Sequence, residues 1–272
     1  MQPPAETTMI RIVAPLILAL ATLACSQQDG ETSSSSADSS HVDPSVYAAA
    51  VASTSRPEAD LARDAGRKPA DVLEFFGVAP GMSVLDLFSG GGYYAEILSY
   101  VVGPDGHIVA HSNSAYLNFV GDEFKARHAG NRLANVDVLM AENNELELDA
   151  NQFDAILMVL SYHDTYWVAP DDDWPKIDVP QLHAELLNSL RPGGVLGVVD
   201  HYADAGSPRE TGGTLHRIDP SIVITDLELA GFVLDAKSNL LRNMEDDHSL
   251  GVFDPSVRGK TDRFVLRFKK PE

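Results

Sequence analysis

Ser83-Val84-Leu85-Asp86-Leu87-Phe88-Ser89-Gly90-Gly91-Gly92-Tyr93-Tyr94 decides the fold. Val84, Leu85 and Leu87 form an apolar, β-favouring run that follows the chain breaks at Gly77, Pro80 and Gly81. After the glycines, 93–102 places apolar residues at helical spacing and is stopped by Gly103 and Pro104. The stretch therefore reads as a buried strand, a tight turn and a helix. Three glycines at such a junction let the backbone approach a bound group with no Cβ in the way, and the free N–H groups of the helix start face the same place. An ordinary tight turn would account for the glycines alone.

What adds a ligand is Asp86, a carboxylate near the end of an apolar strand, followed by Gly90 and Gly92 as Asp-x-x-x-Gly-x-Gly. This resembles motif I of the class I S-adenosylmethionine-dependent methyltransferases. The resemblance implies that the acid and the glycine backbone hold the methionine end of S-adenosyl-L-methionine, with Asp86, Ser89, Gly90, Gly91, Gly92 and Tyr93 as cofactor-binding positions. Phe88 stands where the family has its first glycine, so a tighter, less glycine-like turn is expected there.

Outward from this unit the chain alternates. Strands are expected at 107–110, 136–140, 153–160 and 194–199, and helices at 116–128 and 181–190. Continuous apolar strands alternating with helices mean a parallel sheet covered on both faces. After a helix at 219–230, strands at 232–239 and 263–268 are joined by a polar loop without a helix, so they should pair antiparallel. Phe153-Asp154-Ala155-Ile156-Leu157-Met158 resembles motif IV of the same family, and Leu190-Arg191-Pro192-Gly193-Gly194 resembles its Leu-Lys-Pro-Gly-Gly turn. The resemblance spans 57–270 and implies an α/β, Rossmann-like, seven-stranded, mostly parallel sheet in the order 3-2-1-4-5-7-6, its last strand antiparallel, with helices on both faces. More narrowly, Arg56-Pro57-Glu58-Ala59-Asp60, Gly91-Gly92-Tyr93-Tyr94, His163-Asp164 and His216-Arg217-Ile218-Asp219-Pro220 resemble a group of bacterial methyltransferases that often carry export signals.

In that strand order the tips of the fourth and fifth strands lie beside the glycine turn. They read Ser161-Tyr162-His163-Asp164 and Asp200-His201-Tyr202-Ala203-Asp204. One reading makes His163 or His201 a general base that titrates near neutral pH and takes a proton from a hydroxyl or amine acceptor. A second makes His163, Asp164, His201 and Asp204 a divalent-metal cluster. A third leaves both histidines bonding loop backbone. The family usually grips the ribose with an acid at the end of the second strand; here Ala110-His111-Ser112-Asn113 offers Asn113, an uncharged partner. Glu142 and Asn143 stand where the family contacts adenine. An insertion at 165–179 carries the acidic run Asp171-Asp172-Asp173 and is expected to be a solvated face beside a lid made by Tyr166, Trp167 and Trp174. Arg56, Arg63 and Arg67, on a helix before the first strand, are within reach of a cofactor carboxylate.

The ends of the chain set its context. Residues 12–24 are a short apolar run after Arg11, too short to span a bilayer but suited to a signal peptide. It ends at Thr22-Leu23-Ala24-Cys25, which resembles a bacterial lipobox, and Cys25 is the only cysteine in the chain. Met9 makes a more typical signal start than Met1. Ser26 after the cysteine favours, by the same resemblance, the outer over the inner membrane, hence a periplasmic, lipid-anchored protein whose only membrane contact is that anchor. The expected organisation is a signal peptide at 1–24, a Ser-rich tether at 25–43 that is too polar to order itself, a helical extension at 44–80 and the methyltransferase-like domain at 81–272. A formal net charge of −20 opposes nucleic acid and anionic lipid as partners, and leaves a small molecule as the expected substrate.

Together these readings describe an exported S-adenosylmethionine-dependent methyltransferase acting on a small-molecule hydroxyl or amine. Two rivals arise because the cofactor is made in the cytosol: a non-catalytic module that binds a nucleoside or other small ligand, and a metal-dependent hydrolase using His163 and His201.

Overall fold

A computed structural model of the protein describes residues 42–169 and 174–272. The signal peptide, Cys25 and the Ser-rich run expected before residue 41, and the acidic run at 171–173, lie outside the described residues. Among the described residues no helix is long and apolar enough to cross a membrane.

The central sheet is built from β1 (Ser83–Leu87), β2 (His107–Ser112), β3 (Val136–Met140), β4 (Phe153–Val159), β5 (Leu190–His201), β6 (Val233–Ser238) and β7 (Arg263–Lys269). Their order is β3-β2-β1-β4-β5-β7-β6. Strands β3 to β5 pair in parallel, and β7 is antiparallel to both neighbours. This is the expected topology. The order reverses between β1 and β4, where Asp86 lies opposite Ala110 on one side and Leu157 on the other. A crevice at the carboxyl ends of the strands follows at that point.

Successive side chains of β1 serve opposite faces. Leu85 and Leu87 join a core with Leu182 and Leu186 of α6 (Val179–Ser189) and Val223 and Leu227 of α8 (Pro220–Leu229). Val84 joins the other, with Tyr47 and Ala50 of α1 (Ser45–Val51), Val72, Leu73 and Phe76 of α3 (Pro69–Phe76), Ile97 and Leu98 of α4 (Tyr93–Val102) and Phe124 of α5 (Ser114–His128). Asp86 shares the Val84 face and so points toward the start of α4.

The helical extension is fastened into the domain by charge and polar contacts. Arg56 makes two 2.7 Å bonds to Asp64 of α2 (Glu58–Arg67). Tyr93 donates to Asp64 at 2.6 Å, and Arg127 of α5 donates to Asp60 at 2.7 Å and also pairs with Glu96 of α4. Each of these buried charges has a partner of opposite sign, which offsets the cost of burying it. The consequence for function is that α2 lies over the glycine turn.

Candidate functional site

The turn after β1 departs from one expectation. Phe88 has φ +54° and Gly90 φ +58°, both left-handed, so the backbone keeps the conformation that suits glycine even where phenylalanine stands. The conformation at Phe88 is held by packing. Its buried ring lies against His111, Tyr116 and, nearly parallel at 6.1 Å, Trp174, and its N–H donates to His111 Nδ1 at 3.3 Å. His111 Nε2 in turn donates to the Ala141 carbonyl at 3.0 Å. One buried imidazole thus ties together the ends of β1, β2 and β3, and burial lowers its pKa to about 4.

Asp86 stands beneath the turn. It accepts from Ser89 Oγ at 2.7 Å, and burial raises its pKa to about 6 against the opposing bonds from Ser89 and the Ala95 backbone. These bonds join β1 to the turn and to the start of α4. Above the turn lies a cavity of about 500 Å³, within the roughly 300–1,000 Å³ of small-molecule sites. The turn (Phe88, Ser89, Gly90, Gly91), Tyr93, Arg67, His163 and His201 all line it. Ser89, Gly90, Gly91 and Tyr93 of the sequence-predicted stretch and both strand-tip histidines therefore meet at one hollow, whereas Asp86 lies beneath the turn and Gly92 faces Arg127, and neither lines it. Asn113, Glu142 and Asn143 do not line it. Asn113 caps α5 by accepting from the Tyr116 N–H at 2.8 Å and donates to Asn143 at 2.9 Å, while Glu142 accepts from Ser114 Oγ at 2.5 Å. A larger cavity of about 700 Å³, bordered by Tyr166, Lys176, Val179 and Arg209, lies apart from the glycine turn and holds neither histidine.

Neither histidine titrates near neutrality. His163 and Asp164 belong to a short 3₁₀ turn, Tyr162–Tyr166. Burial alone would lower the His163 pKa, but the Asp164 and Asp200 carboxylates overcome it and raise the value to about 10. His201 is pushed the other way, well below its ordinary value, by burial and then by Arg263; its Nδ1 lies 2.7 Å from Thr261 Oγ1. The four-residue metal cluster also does not assemble. Asp204 is largely exposed and bonds His248, and the residue that joins His163 and Asp164 is His216.

The expected lid divides. Trp167 and Trp174 both line the cavity, Trp174 as a buried part of its wall, 1% exposed, but Tyr166 turns away to pair with Asp226. Tyr116, Phe119, Val252 and Phe253 complete the wall. No local motif announces them, since they are brought in by α5 and the loop before β7.

Two cations on the cavity wall, Arg67 and the exposed Arg258, have no side-chain partner among the described residues, and Arg67 is the more buried of them. Among the described residues no hydrogen bond or ion pair engages its guanidinium, which faces the Tyr93 ring at 4.5 Å, and burial lowers its pKa. Arg63 and Arg56 are spoken for: Arg63 pairs with Asp60 and Glu123, and Arg56 with Asp64.

The profile of the family described as Protein-L-isoaspartate(D-aspartate) O-methyltransferase matches residues 59–161, from α2 through the glycine turn to the end of β4. Comparison with curated proteins gives no match. Among solved structures, a SAM-dependent methyltransferase from Aquifex aeolicus is 23% identical and superposes with a TM-score of 0.53 over 84% of this chain and 98% of that one. The fold is that of the S-adenosylmethionine-dependent methyltransferases. An S-adenosylmethionine-dependent methyltransferase from Mesorhizobium loti agrees, at 13% identity and a TM-score of 0.53, over 76% of this chain and 99% of that one. The two superpositions cover nearly the whole length of those solved chains.

Proposed function

We propose that this protein is an S-adenosyl-L-methionine-dependent methyltransferase acting on a small-molecule hydroxyl or amine. The observation that carries the reading is the single cavity onto which the glycine turn, the unpaired Arg67 and both strand-tip histidines open. The methionine end of the cofactor fits the residues present. A Cβ built on Gly90 would have only the Tyr116 ring nearby, at 3.9 Å, so the missing side chain leaves room for a ligand, and Arg67 offers a carboxylate an otherwise unsatisfied guanidinium. The aromatic side chains of Tyr116, Phe119 and Trp167 offer flat apolar faces to a nucleoside and to an acceptor.

When bound, the cofactor supplies an electrophilic sulfonium methyl. The chain's own contribution is positioning and exclusion of water. Asp86 and Ser89 hold the turn, and the aromatic wall screens the hollow. His201, neutral and facing the cavity, is the strand-tip histidine whose protonation state permits it to accept a proton from an acceptor.

Export and lipid attachment at Cys25, with an outer-membrane, periplasmic destination, belong to the same proposal and are supported by the sequence of the N-terminus. Palmitate labelling of cells expressing the full chain should mark the protein and should fail with Cys25→Ser. Titration calorimetry with S-adenosylmethionine and S-adenosylhomocysteine tests the cofactor: stoichiometric heat with both supports the reading, and no heat with either removes it.

A further inference from the structure

A second ligand belongs to the far wall of the cavity. We propose that His163 Nε2, Asp164 Oδ1 and His216 Nδ1 bind a divalent first-row transition-metal ion. One ligand atom of each residue lies within 4.8 Å of the other two; His163 Nε2 is 3.2 Å and His216 Nδ1 3.6 Å from Asp164 Oδ1. Metal–ligand bonds of about 2.0–2.2 Å place neighbouring ligand atoms roughly 3.0–3.5 Å apart, so two of the three separations are already close to those of a filled site. All three residues line the cavity, which leaves open positions for water or an acceptor oxygen.

The supporting shell is built. Asp200 accepts from both the His163 N–H and its ring Nδ1, each at 2.8 Å. A carboxylate behind Nδ1 fixes the ring direction, and an ion at Nε2 takes the place of the proton that this nitrogen otherwise donates to Asp164, giving the arrangement that metal-binding histidines commonly have. Tyr116 donates to the other oxygen of Asp164 at 2.9 Å, so Oδ1 is turned toward the two imidazoles. His216 is carried at the end of α7 (Thr211–Leu215) with φ +53°, a left-handed conformation unusual for a side chain of that size. Its ring is held edge-on by Trp167 and Phe253. Helix α7 approaches this closely because residue 212 is glycine: a Cβ there would sit 2.5 Å from the His163 carbonyl oxygen.

Two imidazoles and one carboxylate suit zinc, iron or cobalt better than magnesium or calcium, which prefer oxygen ligands throughout. The inference does not rest on the cofactor reading, because the ion's ligands all come from the protein and its binding can be read with no nucleoside present.

The test is metal titration of the purified protein after chelator treatment, with Zn2+ followed by calorimetry and elemental analysis and Co2+ followed by visible absorption. One ion per chain is expected. His216→Ala, at a partly buried position with 20% of the side chain exposed, and Asp164→Asn should each weaken binding at least tenfold, whereas His107→Ala, at the start of β2, should leave it unchanged. Circular dichroism of each variant separates lost ligation from lost folding. Absence of stoichiometric binding overturns the proposal, and so does binding that His216→Ala and Asp164→Asn leave intact.

Discussion

Asp200 holds His163 from behind with both of its oxygens: Oδ1 takes the ring Nδ1 and Oδ2 the backbone N–H, each at 2.8 Å. Both residues are buried, and β5 supplies the acid while the 3₁₀ turn after β4 supplies the imidazole. Asp200→Asn removes the charge and one acceptor while keeping the shape. Breaking a buried pair by neutralising one partner costs roughly 3 kcal/mol, and losing the carboxylate behind a metal-binding histidine costs about 10–100-fold in metal affinity. Denaturant melts and Zn2+ titration of the same variant should show both losses. A variant that melts like the parent and binds zinc equally well would show that the pair is ornamental.

The glycine turn makes a contrast between two neighbours. Gly90 has φ +58° and faces open space, its nearest would-be contact being Tyr116 at 3.9 Å; Gly92 has φ +80°, and a Cβ there would meet Arg127 at 2.5 Å. Alanine in a left-handed position costs about 1–2 kcal/mol at either site. At Gly92 the clash with Arg127 adds to this and strains the buried pairing with Asp60 and Glu96. At Gly90 the methyl projects where the cofactor is proposed to lie. Gly92→Ala should therefore lose more stability, and Gly90→Ala should lose more S-adenosylhomocysteine affinity relative to its stability. Calorimetry and denaturant melts on the two variants separate the effects; equal affinity in Gly90→Ala and the parent would remove the turn from the binding site.

How far the sequence carries is visible in these same elements. The strands of β4 and β5 are legible because unbroken runs such as Ala155–Met158 are buried on both faces and have few alternatives. The glycine turn is legible because its chemistry is local, strand, acid and glycines within one stretch. Phe88 shows the limit: its left-handed backbone is imposed by the packing of His111, Tyr116 and Trp174, which come from three other parts of the chain. Helix α7 is hidden because Thr211-Gly212-Gly213-Thr214-Leu215 has poor helix formers at its centre; its glycines serve close packing on His163 and Trp167. His216 was visible only as a letter in a motif, since its partner Asp164 is a long-range contact. Asn113 was readable as a polar residue at the right place, but its use as the cap of α5 depends on where that helix begins.

His111 should leave a signature in the acid limb of stability. In the unfolded chain its imidazole takes up a proton below about pH 6.5, whereas burial delays this to about 4 in the folded protein. Between these values the unfolded state binds more protons, so the contribution is fully present above pH 6.5 and is lost as pH falls toward 4, by about 3 kcal/mol at the bottom of the window. Glu142 is the charged group that acts on it, in the opposing direction. His111→Gln should be less stable than the parent at pH 7.5, because it disturbs the bonds to Phe88 and Ala141, yet should lose less further stability between pH 6.5 and 4. His183, also lowered to about 4 by burial, remains in both proteins and cancels in the difference. Parallel acid limbs for the two proteins would contradict the assignment.

Arg67 separates binding from folding most cleanly, because it is the one arginine of α2 and its approach that makes no hydrogen bond or ion pair with an acidic side chain among the described residues. The Arg67 guanidinium has no acid bonded to it, and its contact with the Tyr93 ring is worth about 0.5–1 kcal/mol, so Arg67→Met should lower stability by about 1 kcal/mol at most. A hydrogen bond to a charged group is worth about 1.5–3 kcal/mol, and about 1.4 kcal/mol corresponds to tenfold in affinity; the same variant should therefore bind S-adenosylmethionine about 10–100-fold more weakly. Adenosine, which has no carboxylate, should show no such loss. Arg56→Met is the counterpart: Arg56 is fully buried against Asp64, and its removal leaves an uncompensated acid beside Tyr93, so stability should fall by roughly 3–5 kcal/mol. Should Arg67→Met bind S-adenosylmethionine as well as the parent does, the carboxylate lies elsewhere and the orientation proposed for the cofactor in this cavity is wrong.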